Sequence, residues 1–165
     1  MKRVFLACGW VFAVAVAGAA PRADIQGVVT HVSDGDSLSV TPAGQPPIVV
    51  RLSDIDAPEI CQQGGAEARQ ALVELALNKP ATLRTVGRDS YGRVLGVVTV
   101  DGVNLGVRMV EEGHAWSNRT RNDRGPLVKQ ERMAKALGRG LHATTGAIMP
   151  RDFRAQHGPC VRSAP

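Results

Sequence analysis

Short runs of β-branched and aliphatic residues, each soon closed by turn chemistry, set the strongest limit on how this chain folds. Ile25-Gln-Gly-Val-Val-Thr-His-Val32 stops at Ser33-Asp-Gly-Asp36, and Ser37-Leu-Ser-Val40 stops at a stretch holding Pro42, Gly44, Pro46 and Pro47. Val49, Val50, Leu52 and Ile55 predict a third strand running to Asp56 and ended by Pro58, because proline donates no ladder hydrogen bond. Ala81 to Val86 and Arg93 to Val100 predict two more, the last closed by Asp101-Gly102, a tight-turn pair. Aromatic residues make up only 4% of the chain, so the core must be built mainly of Val, Leu, Ile and Ala.

Helical periodicity enters between and after these runs. Ala68, Ala71, Leu72, Leu75 and Ala76 form one stripe and predict a helix over Gly65 to Asn78, broken by Lys79-Pro80. Asn104 is placed to cap a helix from Leu105 to Glu112 that Gly113 ends, and Pro126 opens a third that finishes near Gly138-Arg-Gly140. The remainder, from Leu141, reads as irregular. Five strands, with one helix after the third and two after the fifth, predict an α+β, mostly β fold: a five-stranded barrel of the oligonucleotide-binding type with three helices.

The N-terminus reads as an export signal over residues 1–19, with Lys2 and Arg3 ahead of an apolar Val4 to Val16 and a small-residue site at Ala17-Gly-Ala19. A membrane anchor is the competing reading, but the apolar run is short for a span. The expected organisation is a signal over 1–19, a barrel domain over 20–155 and a tail over 156–165. The mature product is then exported, periplasmic or extracellular, monomeric and free of stable membrane association. Loss of Cys8 with the signal leaves Cys61 and Cys160, which in an oxidising compartment suggest one disulfide; two unpaired thiols are the alternative. Charge is unevenly spread: Ala20 to His114 carries 8 basic and 12 acidic residues, Ala115 to Pro165 carries 10 basic and 3 acidic. A basic half beside an acidic cluster suits a polyanionic ligand with a metal, although a charge run is often only a solvated face.

Four separated pieces carry chemistry: Asp34-Gly-Asp36, Arg51 with Asp56 and Glu59, Tyr91-Gly-Arg93, and the basic C-terminal half. A strand continuing to Asp56 puts Asp54 and Asp56 on one face, and a meander lets Asp36 reach Asp56. Two carboxylates, a backbone carbonyl and waters make an oxygen-only site that favours Ca²⁺ or Mg²⁺ over zinc. No Cys/His zinc spacing is present, and the EF-hand template fails because Ser39 and Gln45 occupy its glycine and final glutamate positions. Asp34 fits a turn residue bonding nearby backbone better than a ligand.

Ser33-Asp-Gly-Asp-Ser37, Arg51-Leu-Ser-Asp-Ile-Asp-Ala-Pro-Glu59, Asp89-Ser-Tyr-Gly-Arg-Val-Leu95 and Asp101-Gly-Val-Asn104, in this order and spacing, resemble the thermonuclease (staphylococcal nuclease-like) family. The resemblance runs from about Ile25 to Phe153. It implies that Asp36, Asp56 and the carbonyl of Ala57 bind Ca²⁺, and that Glu59 is the general base or positions the attacking water. Arg51 and Arg93 hold the scissile phosphate. The implied activity is hydrolysis of phosphodiester bonds in DNA and RNA, leaving 3′-phosphate ends. Tyr91 would stack on a base or sugar, with simple loop packing as the alternative. Where the family commonly has pocket tyrosines, this chain has Ser117-Asn-Arg-Thr-Arg121, so base stacking there is expected to be lost or replaced by nucleic-acid contacts from Arg119 and Arg121. Asp54 stands where the family usually has an uncharged residue. Competing expectations are a non-catalytic nucleic-acid-binding barrel and a Ca²⁺-binding structural domain; the latter gives no reason for Arg51 and Arg93 to converge on the acids.

Overall fold

A computed structural model describes residues 23–120, 122–158 and 160. The expected signal segment lies outside the described residues. Strands β1 (Ile25–Val32), β2 (Ser37–Thr41) and β3 (Ile48–Leu52) form the antiparallel meander, and β5 (Pro80–Arg88) and β6 (Val94–Val100) pair antiparallel on the other side of β1. A parallel pairing of β3 with β6, Arg51 opposite Leu95, then closes the ring. The result is a closed five-stranded mixed barrel, whose interior is lined by Val29, Leu38, Val50, Leu83 and Val98, all fully buried. Closure removes the open edges that five short strands would otherwise expose.

Helix α1 (Gly65–Ala76) presses Ala68, Leu72 and Ala76, spaced four apart, against the barrel. Lys79 Nζ caps its last turn by donating to the carbonyls of Glu74 (2.9 Å) and Leu75 (3.0 Å). Asn104, in the short strand β7 (Val103–Asn104), caps α2 (Leu105–Glu111): its side chain accepts from the Val107 amide at 3.2 Å. α3 (Val128–Ala136) begins two residues after Pro126. Among the described residues no helix is long and apolar enough to cross a membrane.

Two expectations are corrected. The third strand does not run on to Asp56. β3 ends at Leu52, Asp54 sits in a turn with φ 70°, and Ile55–Asp56 form a separate strand β4 that pairs with β8 (Trp116–Ser117). Aspartate tolerates the left-handed region better than most residues, so the turn is inexpensive there. Asp54 is therefore exposed while Asp56 is buried, and the two do not share a face. The stretch after Leu141 is not wholly irregular either. Pro150–His157 form α4, a fourth helix with Pro150 in its first turn, crossing the expected boundary at 155.

Candidate active site

The tight turn between β1 and β2 sets the acidic end of the site. Asp34 Oδ1 accepts the Asp36 amide at 3.0 Å, the backbone-bonding role expected of it. Gly35 is required at the turn: a Cβ there would lie 2.7 Å from the Cβ atoms of both Ala57 and Ala68. With no side chain at that point, the turn seats against α1 and brings Asp36 beside the β4 segment. Register does the rest, since the Leu52 amide donates to the Asp36 carbonyl at 2.8 Å and Ser37 lies opposite Arg51.

Arg51 then spans the two buried acids. Its Nη1 donates to Asp36 Oδ1 at 2.7 Å and its Nη2 to Asp56 Oδ1 at 2.9 Å. The Ala57 amide donates to Asp36 Oδ2 at 3.0 Å, and the Ser37 hydroxyl to Asp36 Oδ1 at 3.0 Å. Asp36 and Asp56 are only 3% and 6% exposed. Burial pushes the Asp36 carboxyl up to about 7 although the Arg51 guanidinium pulls it down, with Asp34 and Asp56 adding repulsion. Burial works against the charged form of Arg51 too, but Asp36 and Asp56 more than compensate and raise its pKa.

Glu59 follows Pro58 on a loop pinned at several points. Its amide donates to Gln62 Oε1 at 3.2 Å and its carbonyl accepts the Gln62 amide at 2.8 Å. A Cβ at Gly65 would collide with that same carbonyl, so the loop packs onto the start of α1 only because residue 65 is glycine. The Glu59 side chain meets Arg154 of α4, whose Nη1 donates to Oε1 at 2.6 Å. Arg154 also approaches both Asp56 oxygens at 3.5 Å. Burial lowers the pKa of Arg154, but its bonds to Glu59 and the charge of Asp56 outweigh that and raise it.

Arg93 stands just before β6, at the end of the β5–β6 turn. Its Nε donates to Asp89 Oδ2 at 2.6 Å, and Asp89 Oδ1 accepts the amides of Tyr91 and Arg93, both at 2.9 Å. These bonds outweigh the desolvation that would raise the Asp89 carboxyl and hold it below its usual range. The Arg93 guanidinium lies 5.6 Å from the Tyr91 ring centroid, and the ring itself is 85% exposed.

One cleft of about 590 Å³ gathers Asp36, Arg51, Glu59, Tyr91, Arg93 and Arg154, with Ala57 in its wall. Arg119 is not part of it. Its guanidinium is engaged by buried Glu131, which also accepts the Ser117 amide at 3.0 Å and Lys135 Nζ at 2.6 Å, and Arg119 lines a separate recess with Trp116 and His142. Arg121 lies outside the described residues. Cys61 and Cys160 are joined in a disulfide, with Cα atoms 5.8 Å apart. Asp89 and Arg154 were not singled out from the sequence. Asp89 carried a local signal as the acid four residues before Arg93. Arg154 carried none, because its partners lie 95 and 98 residues away.

Comparison with known proteins agrees with this geometry. The family described as "Staphylococcal nuclease homologue" matches residues 49–144. A protein of Haemophilus influenzae described as an uncharacterized endonuclease is 35% identical over 128 residues, covering 78% of this chain and 72% of that protein. A micrococcal nuclease of Shigella flexneri is 34% identical over 143 residues, covering 80% of this chain and 82% of its own. A probable staphylococcal-like nuclease of Oryza sativa is 35% identical over 105 residues, 64% of this chain, which spans only 28% of that larger protein. On the family match and the breadth of the bacterial similarity, the chain belongs to the family of staphylococcal nuclease homologues.

Proposed function

We propose that the protein is an exported, divalent-metal-dependent endonuclease that hydrolyses phosphodiester bonds in DNA and RNA and leaves 3′-phosphate ends. The single observation that carries this reading is one cleft in which Arg51 bridges two buried aspartates while Glu59 and Arg93 face the same opening. A binding-only barrel has no use for buried carboxylates pointed at a polyanion; a hydrolase does. Export is supported by the N-terminal pattern and by the cysteine pair.

The donor set fits a hard cation. Among the described residues no three His, Cys, Asp or Glu side chains cluster into a ready-made cage. Asp36 lines the cleft and Asp56 lies beside it on the same guanidinium, so the carboxylate and backbone oxygens here make an oxygen-only set suited to Ca²⁺. Asp36, Asp56 and Glu59 set three carboxylates against the two guanidiniums of Arg51 and Arg154, and a dication would supply the missing positive charge. Asp36, Asp56 and the Ala57 carbonyl are the groups that would hold it. When bound, such an ion polarises a phosphate oxygen and offsets charge that builds in the transition state.

The chain's own residues do the rest. Arg51 retains N–H groups beyond the two given to Asp36 and Asp56, and Arg93 uses its Nε on Asp89, leaving its terminal nitrogens for phosphate oxygens. Asp89 thus aims Arg93 rather than consuming it. Glu59 takes a proton from the attacking water through the oxygen not bound by Arg154. As the water oxygen bonds to phosphorus, the bond to the 5′-oxygen breaks, and that oxygen takes a proton from solvent and leaves as a hydroxyl.

Digestion of plasmid DNA and of RNA, with Ca²⁺ and with chelator, tests the reading. Cleavage should require the ion and should fall about 100–1,000-fold in Glu59→Gln with the fold intact. Activity that survives chelation, or an unaffected Glu59→Gln enzyme, overturns it.

A further inference from the structure

Helix α4 sends a guanidinium into the cleft, and the reaction as drawn gives it no task. Its attachment is specific. Arg154 bonds one oxygen of Glu59 at 2.6 Å and lies 3.5 Å from each Asp56 oxygen. The helix is fastened on both sides to the segment that carries Glu59. Ahead of it, the Ile148 carbonyl accepts Gln62 Nε2 at 2.6 Å, while the other end of that amide accepts the Glu59 backbone N–H. Behind it, Cys160 is bonded to Cys61, two residues beyond Glu59. Phe153, between these anchors, lines a hollow with Leu141 and Ile148.

An arginine–glutamate pair held only by two long, free side chains contributes little, since ordering them offsets the attraction. Here the backbone on each side is already tied down, so only the two side chains remain to be ordered when the pair forms. Arg154 also places positive charge between Asp56 and Glu59, two carboxylates that would otherwise repel. Its short bond is to Oε1 alone, which fixes the plane of the carboxylate and leaves Oε2 to accept a proton.

We propose that Arg154 is a positioning residue for Glu59, delivered by the Cys61–Cys160 clamp, so that the carboxylate is held ready only while the C-terminal helix is locked down. The proposal rests on the nuclease reading of the cleft.

The test uses the full mature chain and measures kcat and KM on DNA with Ca²⁺. Arg154→Gln should lower kcat about 10–100-fold with little change in KM, as expected for a group that orients a reacting one. Arg154→Lys should recover part of the loss, because an ammonium restores the charge but not the fork. Paired Cys61→Ser and Cys160→Ser substitutions should lower kcat by a similar factor. Combined with Arg154→Gln they should add nothing further, since both act through one contact. Arg154→Gln should likewise add nothing in a Glu59→Gln background. Hydrogen exchange in the metal-free protein supplies a second readout: the Glu59 amide should exchange several-fold faster in Arg154→Gln and in the serine pair.

An active wild type with undiminished kcat in Arg154→Gln overturns the proposal. So does a rise in kcat with tighter Ca²⁺ binding by calorimetry, which would make Arg154 a plug. Losses that multiply between Arg154→Gln and the serine pair also overturn it, because the disulfide would then act through stability alone. A wild type inactive on DNA and RNA with every divalent ion tested sinks the nuclease reading instead; the exchange measurement still decides whether α4 holds Glu59.

Discussion

Asp36→Asn should gain stability relative to wild type as pH rises while abolishing activity. Asp36 is 3% exposed and its carboxyl is pushed up from 3.8 to about 7, with burial the main cause. Below pH 3.8 both folded and unfolded chains hold the proton, so the group contributes nothing to the pH dependence. Between 3.8 and about 7 the unfolded chain gives up its proton while the folded chain keeps it, so stability falls as pH rises. Above about 7 the full penalty applies. At roughly 1.4 kcal/mol per pH unit, the gap amounts to about 4 kcal/mol. Asparagine has no charge to bury and escapes that penalty, whatever fixed offset the amide itself brings. Urea unfolding followed through buried Trp116, in chelator, should show the stability of Asp36→Asn relative to wild type rising by about 4 kcal/mol between pH 4 and pH 8. Saturating Ca²⁺ should close much of the gap by stabilising only the wild type. A difference that does not change with pH, or one that moves against the variant as pH rises, would refute the idea that this carboxylate is held against its preference.

Two further perturbations separate function from framework. Arg93→Ala should reduce turnover about 100-fold or more while shifting the melting temperature little, because its ion pair is local, joining residues four apart on one turn; parallel kinetics and thermal melts check this, and equal loss of both would assign Arg93 to the scaffold. Glu131→Gln should destabilise the protein by about 3 kcal/mol at pH 7, since it strips a buried carboxylate from Arg119, Lys135 and the Ser117 amide. Burial alone would raise the Glu131 carboxyl, but those three bonds hold it below its ordinary 4.5. Its contribution is therefore present above 4.5 and lost as pH falls through the depressed folded value, so the difference between wild type and variant should fade in acid unfolding curves.

Most of the barrel was legible because alternation and turn chemistry are local signals, and α1 because Ala68, Leu72 and Ala76 repeat with the helical period. Asp36, Arg51, Asp56 and Glu59 could be grouped since a meander of short strands brings neighbouring turns and strand ends together. The errors share a different origin. Asp54 looked like a strand residue because aspartate adopts the left-handed turn conformation without the glycine that would mark it. α4 has one large apolar residue, Phe153, and so shows no stripe; it is held by the disulfide and by Arg154, partners remote in sequence. Arg119 lies outside the cleft, paired with Glu131 twelve positions on, a partner that nothing near it in the chain announces.

The parallel seam between β3 and β6 has a consequence for when the protein becomes dangerous to nucleic acid. Arg51 faces Leu95 across that seam, and Arg93 stands at its mouth, so the two guanidiniums are neighbours only after the ring has shut. Hairpins such as β1–β2 can form early and alone, whereas this join must first overcome the entropy of closing a long loop. On the proposed roles of these arginines, a nascent, cut or heat-loosened chain that keeps its hairpins but parts its seam should be chemically silent. Cleavage should thus report ring closure itself and vanish on warming before the β-sheet signal in circular dichroism does.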